Sequence, residues 1–377
     1  MLLLNNFIHD ARVHKEAASL AAAGHDVTVY ALWDAGLPQE EVRSGYHIRR
    51  MRLKSRRLRG GGFAPLAKYL EFAARVLPIL LHEQPHAVHA HDAKPLPIAW
   101  LAARRSGARL VYDAHELETG RNFGSTRLAG VYRRLWPWPE RVFIRRTDAV
   151  ITVCDGIADE LVRLYRIPRP VVVRNCPPRK EIPRTDLLRR KLGIPADQKI
   201  VLYQGAVAAG RGLETMAAAV RQLPNVAGVI LGNGAWLEKY RAQVAEGAWP
   251  RMYLPGKVPL AELPAHTASA DVGLALIQNT CRSYYFALPN KLFEYMQAGI
   301  PVVGSDLPEI RRVVQEYQVG EIVDPEDPTA VAAALRRLLD DPRRYARARA
   351  NTARAAQVFT WERESINLIG LYAQWEG

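Results

Sequence analysis

The chain offers little to the chemistries that residue spacing most readily betrays. Its three cysteines, Cys154, Cys176 and Cys281, are scattered without paired metal-ligand spacing, so no zinc ribbon or disulfide framework is expected and a reduced, cytosolic setting is. No D-x-D triplet occurs and the histidines form no recognisable ligand set, so no metal cofactor is expected. No apolar run approaches the roughly 18 residues needed to span a bilayer. The opening MLLLNNF is too short for a secretory leader and reads as a first buried strand. That strand leads into NNFIHDAR with no G-x-G-x-x-G fingerprint, which disfavours a nicotinamide-dependent dehydrogenase. Low-complexity segments are also missing, so a folded protein is the expectation.

What is present points to two domains. A length of 377 residues exceeds one ordinary core, and 49% of the residues are apolar. The net charge of +14 is unevenly spread: residues 1–180 hold 29 Lys/Arg against 17 Asp/Glu, the remainder 23 against 21. A single-sign field confined to one half suits an anionic partner, or serves solubility. Its densest part, RRMRLKSRRLRGGG, carries Arg49, Arg50, Arg52, Lys54, Arg56, Arg57 and Arg59 with no acid among them. Such a segment reads as a contact for anionic lipid at the inner membrane face, or as a solvated loop. Nucleic acid is not the expected partner, because the cations lack interleaved aromatics for base stacking.

Short aliphatic runs alternate with amphipathic ones. MLLL, HKEAASLAAAG and HDVTVYAL open the chain, and AVHAH, LAARRSGA and RLVYDAH continue it. This is the βαβ rhythm of a parallel sheet covered on both faces. Gly24 is a natural stop for the first helix. Prolines and charges interrupt the rhythm over residues 171–186, which reads as a linker. Beyond it, KIVLYQG, VAGVILGNG, MYLPGKV, DVGLALI and IPVVGSD are five strand-like runs, each followed by a helical one. The closing stretch is helical, with Tyr345, Val358, Trp361, Ile366, Ile369 and Tyr372 as its expected apolar face.

The segment SYYFALPNKLFEYMQAGIPVVGSDLPEIRRVV, residues 283–314, carries the most chemistry. Pro289 and Asn290 can open a helix running from about Lys291 to Ala298, which Gly299 stops. Its N-terminus offers unpaired N–H groups and partial positive charge, suited to a diphosphate. Lys291 in the first turn opposes the helix dipole unless an anion lies between them. Glu294, one turn on, can accept from two vicinal hydroxyls of a ribose. A solvated Lys–Glu pair on a helix face is the alternative.

This segment resembles the signature of the retaining family 4 glycosyltransferases, in its PNKLFEYM form, and the resemblance extends over nearly the whole chain. NFIHDARVHKEAASLAAAGHDVTVYA is similar to the family's first strand, loop and helix. AVHAHD, RLVYDAHE and VITVCDGIADEL are similar to later first-domain elements, and VVVRNC to the segment before the hinge. YQGAVAAGRGLETMAAAV resembles the phosphate loop, VILGNGAWLEKY the next strand and turn, and VGEIVDPEDPTAVAAALRRLLDD the closing motif. The resemblance implies an α/β fold of GT-B type, two Rossmann-like doubly wound domains facing a central cleft. The expected boundaries are residues 1–178 on the acceptor side and 179–358 for the nucleotide sugar, with 359–377 a C-terminal helix returning to the first domain.

Carried over by position, Glu294 matches the second glutamate of the family's pair, which holds the nucleotide ribose, while Phe286 stands where the first would be. Gly205, Gly232, Pro289, Asn290 and Lys291 fall where the family binds donor diphosphate and sugar. In the phosphate loop, Ala206 replaces an expected arginine and Arg211-Gly212 takes the place of a Lys-Gly pair. His115 matches a histidine facing the donor sugar, and His9, Asp10, Arg12, His91 and Asp92 are acceptor-side candidates. The implied catalytic set is His115, Arg211 and Lys291. The implied reaction moves a sugar from a nucleoside diphosphate, uridine first and guanosine next, to an acceptor hydroxyl, with retention and without metal. A saccharide or lipid-linked acceptor, as in envelope polysaccharide or glycolipid synthesis, is the expected partner. A non-catalytic sugar-binding relative is the alternative.

Overall fold

The computed structural model describes residues 1–8, 10–57, 63–121 and 137–375. The chain divides into two compact units, one formed by Met1–Asn175 with Glu364–Gly377, the other by Cys176–Arg363.

Unit 1 contains β1 (Thr28–Leu32), β2 (Glu40–Arg43), β3 (Tyr46–Met51), β4 (Ala87–His91), β5 (Arg109–Ala114), β6 (Ala149–Thr152) and β7 (Val171–Val172). Its hydrogen-bonded orders are β1-β3-β2 and β4-β5-β6-β7. The opening residues join the two sets. Leu2 bridges Tyr30 and Ala90 in parallel, and its N–H donates to the His89 carbonyl at 2.8 Å. The expected first strand is therefore buried but reduced to single bridges, because Phe7, with φ 53°, already belongs to a turn. All pairing is parallel except β2 with β3. The Ser44-Gly45 turn, with φ of 48° and 83°, makes that antiparallel hairpin.

Helix α1 (Ala11–Ala22) starts where the Asp10 side chain accepts from the Val13 N–H, and the chain leaves it at Gly24, with φ 100°. Its buried stripe is Arg12, Val13, Glu16, Ala17 and Leu20, so two charged side chains enter the core on the same face as the apolar ones.

Unit 2 is one parallel sheet of β8 (Lys199–Gln204), β9 (Val226–Leu231), β10 (Met252–Gly256), β11 (Val272–Ala275), β12 (Val302–Ser305) and β13 (Gly320–Val323), in the order β10-β9-β8-β11-β12-β13. Five of the six strands match the alternating pattern. The sixth, in VGEIVDP, has too few consecutive apolar residues to stand out. Strand order reverses between β8 and β11, and the crevice beyond their carboxyl ends is where open α/β sheets bind ligands.

The closing stretch forms two helices, Pro342–Val358 and Trp361–Ala373, separated at Phe359 and Thr360. The inward face of the second differs from the expected one. Trp361 is buried as expected, but Glu364, Ser365, Leu368 and Leu371 share its inward face, whereas Ile366 is 65% exposed. Glu364 turns inward because it accepts from the Arg174 N–H at 2.8 Å, a backbone partner that apolar periodicity does not register. Among the described residues, no helix is long and apolar enough to cross a membrane.

Candidate active site

The crevice of unit 2 gathers most of the donor-side candidates. Gly205 follows β8 and takes φ +132°, and a Cβ there would stand 3.3 Å from Lys291 Nζ. Gly232, after β9, lies so close to the Gly205 carbonyl that a Cβ would meet it at 1.8 Å. Both positions therefore need glycine, one for conformation and one for space.

The helix Asn290–Gln297 begins after Pro289, with no side-chain cap and no acid in its first turn. Lys291 lies on its buried face, only 8% exposed, with Nζ 3.5 Å from the centroid of the Tyr203 ring. Burial and the repulsion of Arg211 hold its ammonium well below the ordinary lysine range, and Glu294 offsets this only in part. It is therefore not a solvated member of a surface pair. Arg211 stacks 4.7 Å from the Tyr284 ring centroid, and its buried Nε has no hydrogen-bond partner among the described residues. Glu294 accepts from the Gln204 amide, whose oxygen accepts from Thr267 Oγ1 at 2.8 Å, so the carboxylate is oriented by a chain of side chains. The site thus combines two uncompensated cations, an open helix end and a fixed carboxylate.

The first-unit candidates form a different kind of cluster. Arg12 grips both oxygens of Asp113, from Nε at 2.8 Å and Nη2 at 2.7 Å, and Nη1 donates to the Val173 carbonyl at 2.6 Å. His115 Nε2 lies 2.7 Å from Asp113 Oδ2, and its Nδ1 lies 3.6 Å from Asp92. Burial disfavours the imidazolium, yet Asp113 and Asp92 together raise its pKa to about 10, so His115 is a cation at neutral pH. Asp92 adopts φ +66°, uncommon for a residue with a side chain. His91 Nδ1 lies 3.2 Å from Asp113, and Arg12 lies 3.0 Å from Glu16. Arg12 is thus committed to the interior, whereas Asp10 caps α1 at the surface.

Two family models match the chain, one described as Glycosyltransferase Family 4 over residues 11–177, the other as Glycosyl transferases group 1 over residues 184–355. The chain belongs to the family 4 glycosyltransferases. A D-inositol 3-phosphate glycosyltransferase of Xylanimonas cellulosilytica is 26% identical, over 76% of this chain and 71% of that one. A glycogen synthase of Mycobacterium tuberculosis is 27% identical, over 93% and 87%. Among solved structures, sucrose-phosphate synthase from Thermosynechococcus elongatus aligns with TM-score 0.83 at 22% identity, over 96% of this chain and 92% of that one. HepE of Anabaena, solved with UDP-glucose, aligns with TM-score 0.76 at 15% identity, over 99% and 98%. These likenesses establish the fold as GT-B.

In this glycosyltransferase the remaining candidates are placed as follows. Pro289 and Asn290 open the helix that carries Lys291. Phe286, in place of a carboxylate, packs edge-on against Tyr285 with the Arg282 guanidinium 4.7 Å from its centroid. The Ala206 carbonyl accepts from Tyr203 Oη at 2.6 Å, which holds the loop without an arginine. Four cations of the basic segment have partners within unit 1. Arg49 pairs with Glu40 and Glu83, Arg50 is buried against Glu41, Arg52 stacks on Trp33, and Arg56 pairs with Asp34. Lys54 is exposed, while His9, Arg59 and the Arg57 side chain lie outside the described residues.

Sequence reasoning passed over Glu16 and His89. The available signal was the alternation in AVHAH, which puts His89 and His91 on one face of β4. It also read the histidines as no ligand set. In the fold, one donor atom from each of Glu16, His89, His91 and Asp113 lies within 4.8 Å of the others.

Proposed function

We propose that this glycosyltransferase takes a hexose or related sugar from a nucleoside diphosphate, with uridine preferred to guanosine, and transfers it to an acceptor hydroxyl with retention. The carrying observation is the buried ammonium of Lys291, which no carboxylate pairs. A cation so placed beside Arg211 and a helix N-terminus calls for an anion, and a diphosphate meets all three at once. Glu294, oriented through Gln204, suits a ribose diol. The structure of HepE with UDP-glucose supports uridine. The acceptor is a saccharide or lipid-linked hydroxyl, as in envelope polysaccharide or glycolipid synthesis.

In the transfer, the bond from the anomeric carbon to the phosphate oxygen breaks and its electron pair leaves with the diphosphate. The acceptor oxygen bonds to the carbon on the same face, and its proton passes to the departing phosphate oxygen. Lys291, Arg211 and the helix end stabilise the charge that develops there. They take the place of a bridging metal, so added Mg2+ or Mn2+ leaves turnover unchanged. His115, a fixed cation, steers the sugar, and Glu294 anchors without reacting.

Titration calorimetry with UDP and GDP tests the reading. A bound diphosphate favours the charged form of Lys291 that burial disfavours, so affinity falls as pH rises. Lys291→Ala flattens that pH dependence and weakens binding. Equal UDP affinity in wild type and variant overturns the assignment.

A further inference from the structure

The donor crevice opens at the carboxyl ends of β8 and β11. A second cavity lies within unit 2 at the opposite end of the same sheet, where Gly320 and Glu321 begin the edge strand β13. Its volume is about 560 Å³, inside the range of roughly 300–1,000 Å³ that small-molecule sites occupy. The buried side chains of Val314, Leu338 and Ala348 line it, and most of the remaining wall is polar.

Charge distinguishes this cavity. Arg343, Arg344 and Arg347 enter its wall from one helix, Pro342–Val358, whose first turn holds no acid. Cations in a first turn oppose the helix dipole, and an anion held between them relieves that opposition. The two acids of the wall are already engaged. Glu321 lies 3.0 Å from Arg337 and 2.6 Å from Arg344, so one carboxylate serves two guanidinium groups. Asp341 caps the helix, accepting at Oδ1 from the N–H groups of Arg343 at 2.9 Å and Arg344 at 3.1 Å. The side chains of Arg343 and Arg347, four positions apart on one helix face, are left without an ion-pair partner among the described residues.

The chemistry of the wall narrows the ligand. Guanidinium forks match phosphate oxygens two at a time. The exposed amides of Gln315 and Gln318 line the same cavity and suit hydroxyl groups. A lipid surface fits less well, because a membrane contact inserts apolar side chains beside its cations. Among the described residues, none of the large exposed apolar side chains falls within 314–348. The wall also carries no aromatic ring on which a nucleic-acid base could stack.

We propose that this cavity binds a soluble phosphorylated sugar, with Arg343 and Arg347 on the phosphate and Gln315 and Gln318 on the hydroxyls. The site is separate from the donor crevice and does not depend on the proposed transfer chemistry.

Titration calorimetry on the full chain with glucose 6-phosphate tests it. Wild type binds this probe and not glucose, and inorganic phosphate binds more weakly. Replacing both Arg343→Ser and Arg347→Ser weakens binding about 10- to 100-fold. Because neither side chain is paired, the double variant keeps the melting temperature of the ligand-free wild type. Lys291→Ala stays within about threefold of wild type, since the two sites are distant. No binding by wild type, equal affinity for inorganic phosphate, or an unaffected double variant overturns the proposal. Loss of binding in Lys291→Ala instead assigns the phosphate to the donor crevice and refutes it as well. Retention on phosphatidylglycerol vesicles that the double variant abolishes moves the site to lipid and overturns the free ligand. If the double variant does not fold, wild-type crystals soaked in glucose 6-phosphate decide. Phosphate density between Arg343 and Arg347 supports the site, and density only beside Lys291, or none, refutes it.

Discussion

The two units treat charge in opposite ways. The first 180 residues hold most of the basic surplus, yet the buried cations of unit 1 are compensated: Arg12 by Asp113, Arg50 by Glu41 and His115 by two aspartates. Residues 181–377 are almost neutral by count, yet unit 2 buries Lys291 there without an ion-pair partner among the described residues. Net charge reports where counterions gather. Whether a charge awaits a ligand depends on burial and on which carboxylate the fold brings to it. The functional cation therefore lies in the half that composition made look ordinary.

The largest expected effect tests the compensated side. Asp113→Asn leaves Arg12 buried beside a neutral partner and costs about 3–5 kcal/mol in urea unfolding. A loss below 1 kcal/mol would mean that Glu16 takes over the pairing and that the cluster is redundant. On the uncompensated side, Lys291→Ala lowers turnover about 100- to 1000-fold. Its melting temperature stays level or rises, since a buried unpaired charge is removed. A variant that loses stability along with activity would erase the contrast between the units.

Glu140 sharpens the comparison through pH. Burial raises its carboxyl from 4.5 to about 7, against the hydrogen bonds from Tyr112 and Tyr165. A folded pKa above the unfolded value means that its contribution is fully present below about pH 4.5. It declines as pH rises and is lost above about pH 7. Unfolding free energy should fall across that window by on the order of 3 kcal/mol, and Glu140→Gln should flatten the profile. The smallest effect belongs to the surface. Arg56→Ala costs less than about 1 kcal/mol in stability, because its ion pair with Asp34 is exposed. It also leaves retention on anionic vesicles nearly unchanged, and a marked loss of retention would show that this cation is open to lipid after all.

Much of this was legible from the chain. Strands such as KIVLYQ and VAGVIL announce themselves by β-branched runs between helical periods, and Pro289 to Gly299 marks a helix at both ends. Other features were not. Strand β13 is short and half polar, so no local pattern distinguishes it. Ile366 looks like a core residue until Glu364 is seen to occupy the inward face. The pairing of Arg49, Arg50 and Arg56 was hidden because their acids, Glu40, Glu41, Glu83 and Asp34, lie outside the basic run in sequence.

By itself the sequence determined the α/β class, the two-unit organisation and the helix carrying Lys291 and Glu294, because periodicity, caps and turn residues act over a few positions. Only the tertiary structure decided which charges are paired. Arg12 and Asp113 are separated by 101 residues, as Gln204 and Glu294 are by 90. Compensation of a buried charge is a property of distance in space, and the fold sets that distance.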